Sequence, residues 1–179
     1  MKYFYVGATP EVERQALDAV RDRLAAEYSL PVREIRLPGV EFAFDAERKQ
    51  YRSTDVLEML GRHCPADGAK LLAVTERDLF VPVLTFVFGQ AQLGGRLAVV
   101  SLARLRQEFY GLSPNGDALM ERAVKEALHE SGHTFGLVHC ADRSCAMSLA
   151  TNIRHIDGKQ AAWCAACSAL LRRAQGVLQ

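Results

Sequence analysis

No stretch of this chain reaches the roughly 18–20 consecutive apolar residues that a bilayer-spanning helix needs. Long blocks of one charge are also missing: 22 basic residues are balanced by 21 acidic ones, for a formal net charge of +1. That balance excludes the basic stripe of a nucleic-acid binder and the polybasic patch of a membrane-surface protein. There are no internal repeats and no low-complexity tracts, which excludes repeat arrays and linker-like chains. Nothing N-terminal resembles a signal peptide, so the expected setting is cytoplasmic, where thiols stay reduced. What remains is a chain of 179 residues, 49% hydrophobic and 24% charged, which suits one domain with a substantial core.

Cysteine is scarce until late in the chain and then concentrated. Cys64 stands alone beside Pro65 and reads as a spare thiol, while Cys140, Cys145, Cys164 and Cys167 fall within 28 positions. Two thiol pairs separated by a loop suit a tetrahedral zinc site with four sulfur ligands. Two disulfides would use the same four thiols, but a reducing setting disfavours them. A redox role for the C-x-x-C pair is weakened by the other pair nearby. The neighbours His63 and Cys64 have no partners in sequence and do not make a site.

Just before the cysteines lies the pattern H-E-x-x-H-x-x-G-x-x-H, filled by His129, Glu130, His133, Gly136 and His139. On a helix, residues four apart lie one turn above each other, so His129 and His133 share a face and can bind one zinc ion. Glu130 then points toward the open side of the metal. A helix that continued would carry His139 away; Gly136 accepts the left-handed backbone that ends a helix and returns His139 as a third ligand. Three histidines leave one zinc position for water, the mark of a catalytic site. A surface helix that happens to carry histidines explains two of these residues but not all five.

With these residues in view, the chain resembles the archaemetzincins, zinc peptidases of the metzincin clan. The resemblance rests on the long histidine motif, on Cys140 and Cys145, on Met147, and on the Cys164/Cys167 pair. It covers the C-terminal third in detail. It implies that Met147 is the Met-turn residue, a hydrophobic floor beneath the catalytic zinc. It also implies an antiparallel edge strand above the cleft that binds substrate as an added strand, a role carried onto residues 88–93 by order alone; a closed hairpin without that role is the alternative. Some metzincins place a tyrosine two residues after the Met-turn methionine, but here that position is Leu149. Oxyanion stabilisation then falls to zinc and another donor; Tyr110 is a candidate by position, with packing as its simpler role.

Upstream, residues 3–6 read as a strand closed by Gly7, and Thr9 and Pro10 read as a helix N-cap and first helical residue. Val12, Ala16, Leu17, Val20, Leu24 and Ala25 form an apolar stripe at helical spacing, and residues 32–37 form a second, parallel strand. A short strand over 41–45 and a helix capped at residues 53–55 follow. Residues 70–75 are a buried strand, with Glu76 and Asp78 in a solvated loop. Residues 83–88 and 96–101 read as strands joined by a glycine-rich link over 89–95. Asn115 and its neighbours offer N-caps for the helix whose apolar side, including Leu119, Ala123, Ala127 and Leu128, supports the histidines. Residues 140–163 look irregular, and 163–175 form a terminal helix.

The expected architecture is α/β and metzincin-like: a mixed twisted sheet with an antiparallel edge strand, an active-site helix and a small zinc-stapled C-terminal subdomain. Within one domain over 1–179, residues 1–136 hold the sheet and active-site helix. Residues 137–179 hold the Met-turn and four-cysteine site. The expected function is a zinc metallopeptidase with Glu130 as general base and two zinc ions per chain, one catalytic and one structural. Aminopeptidase-like action on short peptides is implied by the resemblance. The alternative is a non-catalytic zinc-containing module that binds peptides. Peptides are the expected partner, nucleic acid and membrane are not, and a monomer is favoured.

Overall fold

A computed structural model describes residues 1–177; positions 178 and 179 of the expected C-terminal subdomain lie outside the described residues. The chain runs β1 (Tyr3–Ala8), α1 (Arg14–Glu27), β2 (Val32–Arg36), β3 (Phe44–Asp45), β4 (Gln50–Arg52), α2 (Ser53–His63), β5 (Gly68–Thr75) and β6 (Leu79–Phe80). It continues through β7 (Gly89–Ala91), β8 (Leu97–Ser101), α3 (Gly116–Thr134), α4 (Ile153–Gly158) and α5 (Ala165–Gly176). The main sheet has the order β2-β1-β5-β8-β7. Its first four strands are parallel, and β7 pairs antiparallel with β8 at the edge. A small sheet joins β3, β4 and β6.

The alternation of side chains along the strands builds two cores. Phe4, Val6, Leu72, Val74, Ala98 and Val100 face a cluster that includes Ala16, Val20 and Leu24 of α1 and Leu119, Ala123 and Ala127 of α3. Tyr5, Leu71, Ala73, Leu97 and Val99 face Val56, Leu57 and Leu60 of α2. Helices therefore cover both faces, and the central strands β5 and β8 are buried along their whole length. Parallel strands in such a sheet carry apolar residues on both sides. That is why the run at 70–75 was legible as a strand.

Several local expectations are corrected. Gly7 lies inside β1, where a Cβ would meet the Leu37 side chain at 2.8 Å and the Ile35 carbonyl at 2.9 Å. It marks close packing, not a strand end. Helix α1 begins at Arg14, and Glu13 occupies the cap. Thr9 is buried and bonds Thr75 Oγ1 at 3.0 Å, so its hydroxyl serves the sheet instead of the helix. Ala25 is exposed. Residues 41–43 form a single 3-10 turn before β3. Residues 83–88 are not a strand: side chains of Arg48 and Gln50 donate to the carbonyls of Leu84 and Thr85, removing groups a ladder would need. The antiparallel strand lies at β7 instead, inside the expected link. Glu76 and Asp78 are held by Arg106 and Arg104 at 2.6 and 2.7 Å. A short helix, α4, interrupts the expected irregular region.

Candidate active site

Asn115 starts the helix that carries the histidines, its side chain accepting from the Ala118 N–H at 3.0 Å. The helix ends in two reverse bonds: Gly136 N to the His133 carbonyl at 2.9 Å and Leu137 N to the Gly132 carbonyl at 3.1 Å. This is a Schellman C-cap, and Gly136 takes the left-handed conformation it requires, with φ 88°. The turn returns His139 to the two helical histidines. One ring nitrogen from each of His129, His133 and His139 lies within 4.8 Å of the others.

Backbone carbonyls decide which nitrogens converge. His129 Nδ1 lies 2.9 Å from the Ala146 carbonyl, and His133 Nδ1 lies 2.7 Å from the Leu137 carbonyl. A carbonyl only accepts, so each Nδ1 must donate its proton and each Nε2 keeps its lone pair. Those two Nε2 atoms face each other at 3.1 Å. Two lone pairs so placed call for a cation between them, and tetrahedral ligands about 2.0–2.1 Å from zinc are separated by about 3.3 Å. Burial, with Lys159 next, drives the His129 pKa well below the usual histidine value. Burial also lowers His133 and His139. All three are therefore neutral ligands near pH 7, and the donor set fits zinc.

Beneath them, Met147 is fully buried, and a Cβ on Gly132 would meet its sulfur at 2.5 Å. The glycine lets the methionine approach the helix under His129 and His133. Glu130 is buried, and burial together with the charge of Glu126 raises its carboxyl well above the usual range. Glu126 sits one helical turn earlier, and the fully buried Lys159 donates to it at 3.2 Å and to the Ala146 carbonyl at 3.3 Å. One carbonyl thus receives both His129 and Lys159. Glu126 is visible in the sequence as the residue four before Glu130. Lys159 is not, since it arrives from the loop after α4.

These groups floor a cleft of about 730 Å³, whose walls include Phe86, Phe88, Gly89, Leu93, Val138 and Leu149. The edge strand β7 forms one wall, as the order of elements suggested. Leu149 is 57% exposed on the cleft. Tyr110 does not line it; its hydroxyl donates to the Arg104 carbonyl.

The four cysteines gather beside this site, with every pair of sulfurs within 4.8 Å. Cys140 and Cys164 sulfurs are 3.8 Å apart. A disulfide needs about 2.0 Å, whereas tetrahedral thiolates about 2.3 Å from zinc are separated by about 3.8 Å. The Cys167 backbone N–H holds the Cys164 thiol down to about 7, so a thiolate is available near neutrality. Cys64 lies apart from both clusters, as expected.

A model of peptidase family M54 matches residues 3–173. The chain is 46% identical over 134 residues to an archaemetzincin of Methanocaldococcus jannaschii, covering 73% of each chain. It is 42% identical over 162 residues to an archaemetzincin of Methanopyrus kandleri, covering 88% of this chain and 89% of that one. The crystal structure of an archaemetzincin from Methanopyrus kandleri superposes with a TM-score of 0.85 at 34% identity, over 97% of this chain and 96% of that one. A zinc-dependent peptidase from Methanocorpusculum labreanum gives 0.85 at 33%, over 94% and 99%.

Proposed function

The chain belongs to peptidase family M54, and on that premise we propose that it hydrolyses peptide bonds with a zinc ion held by His129, His133 and His139. The observation that carries this reading is the pair of Nε2 lone pairs aimed at one point, fixed there by carbonyl acceptors on both Nδ1 atoms. Bound there, zinc would be the Lewis acid for the scissile carbonyl and would lower the pKa of a water. Glu130, adjacent on the helix and desolvated, takes a proton from that water and delivers it to the leaving amine. The unpaired edge of β7 offers backbone N–H and C=O groups to an extended peptide.

The resemblance to the archaemetzincins adds aminopeptidase-like action on short peptides to this reading. Cys140, Cys145, Cys164 and Cys167 hold a second, structural zinc, and Met147 with Gly136 shape the first site.

The test combines metal content with turnover. Wild type should carry two zinc ions, His133→Ala one, and Glu130→Gln two. Peptide cleavage in Glu130→Gln should fall about 10²–10⁴-fold, the usual worth of a general base. Loss of zinc from Glu130→Gln would refute this division of roles. Peptide binding without cleavage by the zinc-replete wild type would leave a binding module in place of an enzyme.

A further inference from the structure

Four basic side chains among the described residues are buried: Lys70, Arg122, Lys125 and Lys159. Three of them sit on carboxylates, with Arg122 on Asp157 at 2.6 Å, Lys125 on Glu121 at 2.7 Å and Lys159 on Glu126 at 3.2 Å. Lys70 does not. Lys70 as a residue is 6% exposed, and its ammonium donates to the Thr134 carbonyl at 2.5 Å and the Gly95 carbonyl at 2.7 Å. The ammonium also lies 4.6 Å from the Phe135 ring centroid, so its surroundings are two carbonyls and an aromatic face with no carboxylate, and an unneutralised buried charge is costly.

Lys70 lines a cavity of about 320 Å³ with Lys2, Gly68, Ala69, Gly94, Gly95 and Arg96. Among the described residues, no acidic side chain lines it. Arg96 directs Nη2 to the Gly68 and Pro65 carbonyls and to Cys64 Sγ, leaving Nε and Nη1 without a partner among the described residues. Among the described residues, Lys2 bonds only the Ala66 carbonyl. Three cations, each stabilised by neutral groups alone, thus surround one cavity of the size that small ligands occupy. Among the described residues, the other buried lysine and arginine side chains have carboxylates.

We infer that this cavity binds a small oxyanion, either free phosphate or the phosphate of a larger ligand, between Lys70, Arg96 and Lys2. A guanidinium with Nε and Nη1 still free and two ammonium groups match the charge of such a ligand. Burial, reinforced by the charge of Arg96, lowers Lys70 to about 8, and a bound anion would relieve that penalty. The cavity also adjoins the histidine helix, since Gly94 N donates to the His133 carbonyl at 2.8 Å. Lys70 additionally caps the C-terminal end of α3, a structural role that the test must separate from binding.

The experiment is calorimetric titration and thermal unfolding of the zinc-loaded protein with inorganic phosphate, against chloride at matched ionic strength. Saturable one-site binding is expected, weakened about tenfold or more by Arg96→Gln, which removes a charged hydrogen-bond donor without touching the helix cap. Above about pH 8, where phosphate is already a dianion, binding should also weaken, because Lys70 loses its charge as pH rises through its lowered pKa. Phenyl phosphate run in parallel separates the sources: binding equal to or tighter than phosphate indicates the phosphate of a larger ligand, and phosphate alone indicates the free anion. Absence of saturable binding would overturn the inference. So would unchanged affinity in Arg96→Gln, which would place the anion elsewhere, for example at the histidines. Lys70→Met provides a second loss-of-charge variant where it folds.

Discussion

A methyl group added at Gly89 would lie 2.6 Å from Glu130 Cγ, 2.7 Å from its Oε1 and 2.6 Å from the Val99 carbonyl. These distances are too short for any real Cβ, and the backbone carbonyl behind cannot retreat cheaply. Glu130 would have to move. Gly89→Ala should therefore reduce peptide turnover by about tenfold to a hundredfold, the cost of misplacing a catalytic group by roughly an ångström. Zinc content should not change, because no proposed ligand touches Gly89. Wild-type kcat in this variant would show that the carboxylate has room to spare. In the sequence Gly89 reads as part of a glycine-rich link and of the segment given the edge-strand role; its contact with a residue 41 positions later is invisible there. Glu130 itself was legible, because its role depends on spacing to its immediate neighbours.

At the scale of the element, α3 is set by local chemistry at both ends: Asn115 caps its start and Gly136 closes it. A Cβ at Gly136 would meet nothing within 4 Å, so a substitution there tests backbone conformation without steric interference. Gly136→Ala should cost about 1–2 kcal/mol, the penalty for a left-handed residue with a side chain. It should also loosen His139 and accelerate loss of zinc to a competing chelator. Denaturant unfolding reads the first effect and chelator kinetics the second; zinc release at the wild-type rate would mean that the turn does not govern His139. The cleft wall was harder to read. Residues 83–88 have the apolar character of a strand, yet Arg48 and Gln50 capture their carbonyls from a distant segment. Propensity describes what a segment favours, and tertiary partners overrule it.

At the scale of the whole molecule, the histidine and cysteine clusters share their supports. His139 and Cys140 are consecutive, and Cys140 N donates to the Met147 carbonyl at 3.0 Å. Ala146, between Cys145 and Met147, supplies the carbonyl that orients His129. Trp163, next to Cys164, packs near Gly132 and against Tyr28. Disturbing the thiols should therefore reach the histidines through this short chain of contacts. Cys167→Ala is expected to lose the structural zinc and to weaken zinc binding at the histidines, measured as metal stoichiometry and chelator competition. Unchanged affinity at the histidines would mean that the two sites are independent.

The sequence by itself determined the parts that depend on neighbours along the chain. These are the turn spacing of His129 and His133, the glycine that brings back His139, the paired thiols, and the buried central strands. Such features follow from helical and strand periods, which act over a few residues. Tertiary structure alone decided which carbonyls hold the imidazoles, that Lys159 comes beneath Glu126, that Gly89 lies against Glu130, and that Lys70 is left without a carboxylate. Each of these joins segments far apart in the chain. Their partners are selected by packing and by the need to satisfy buried polar groups, and no local period records that choice.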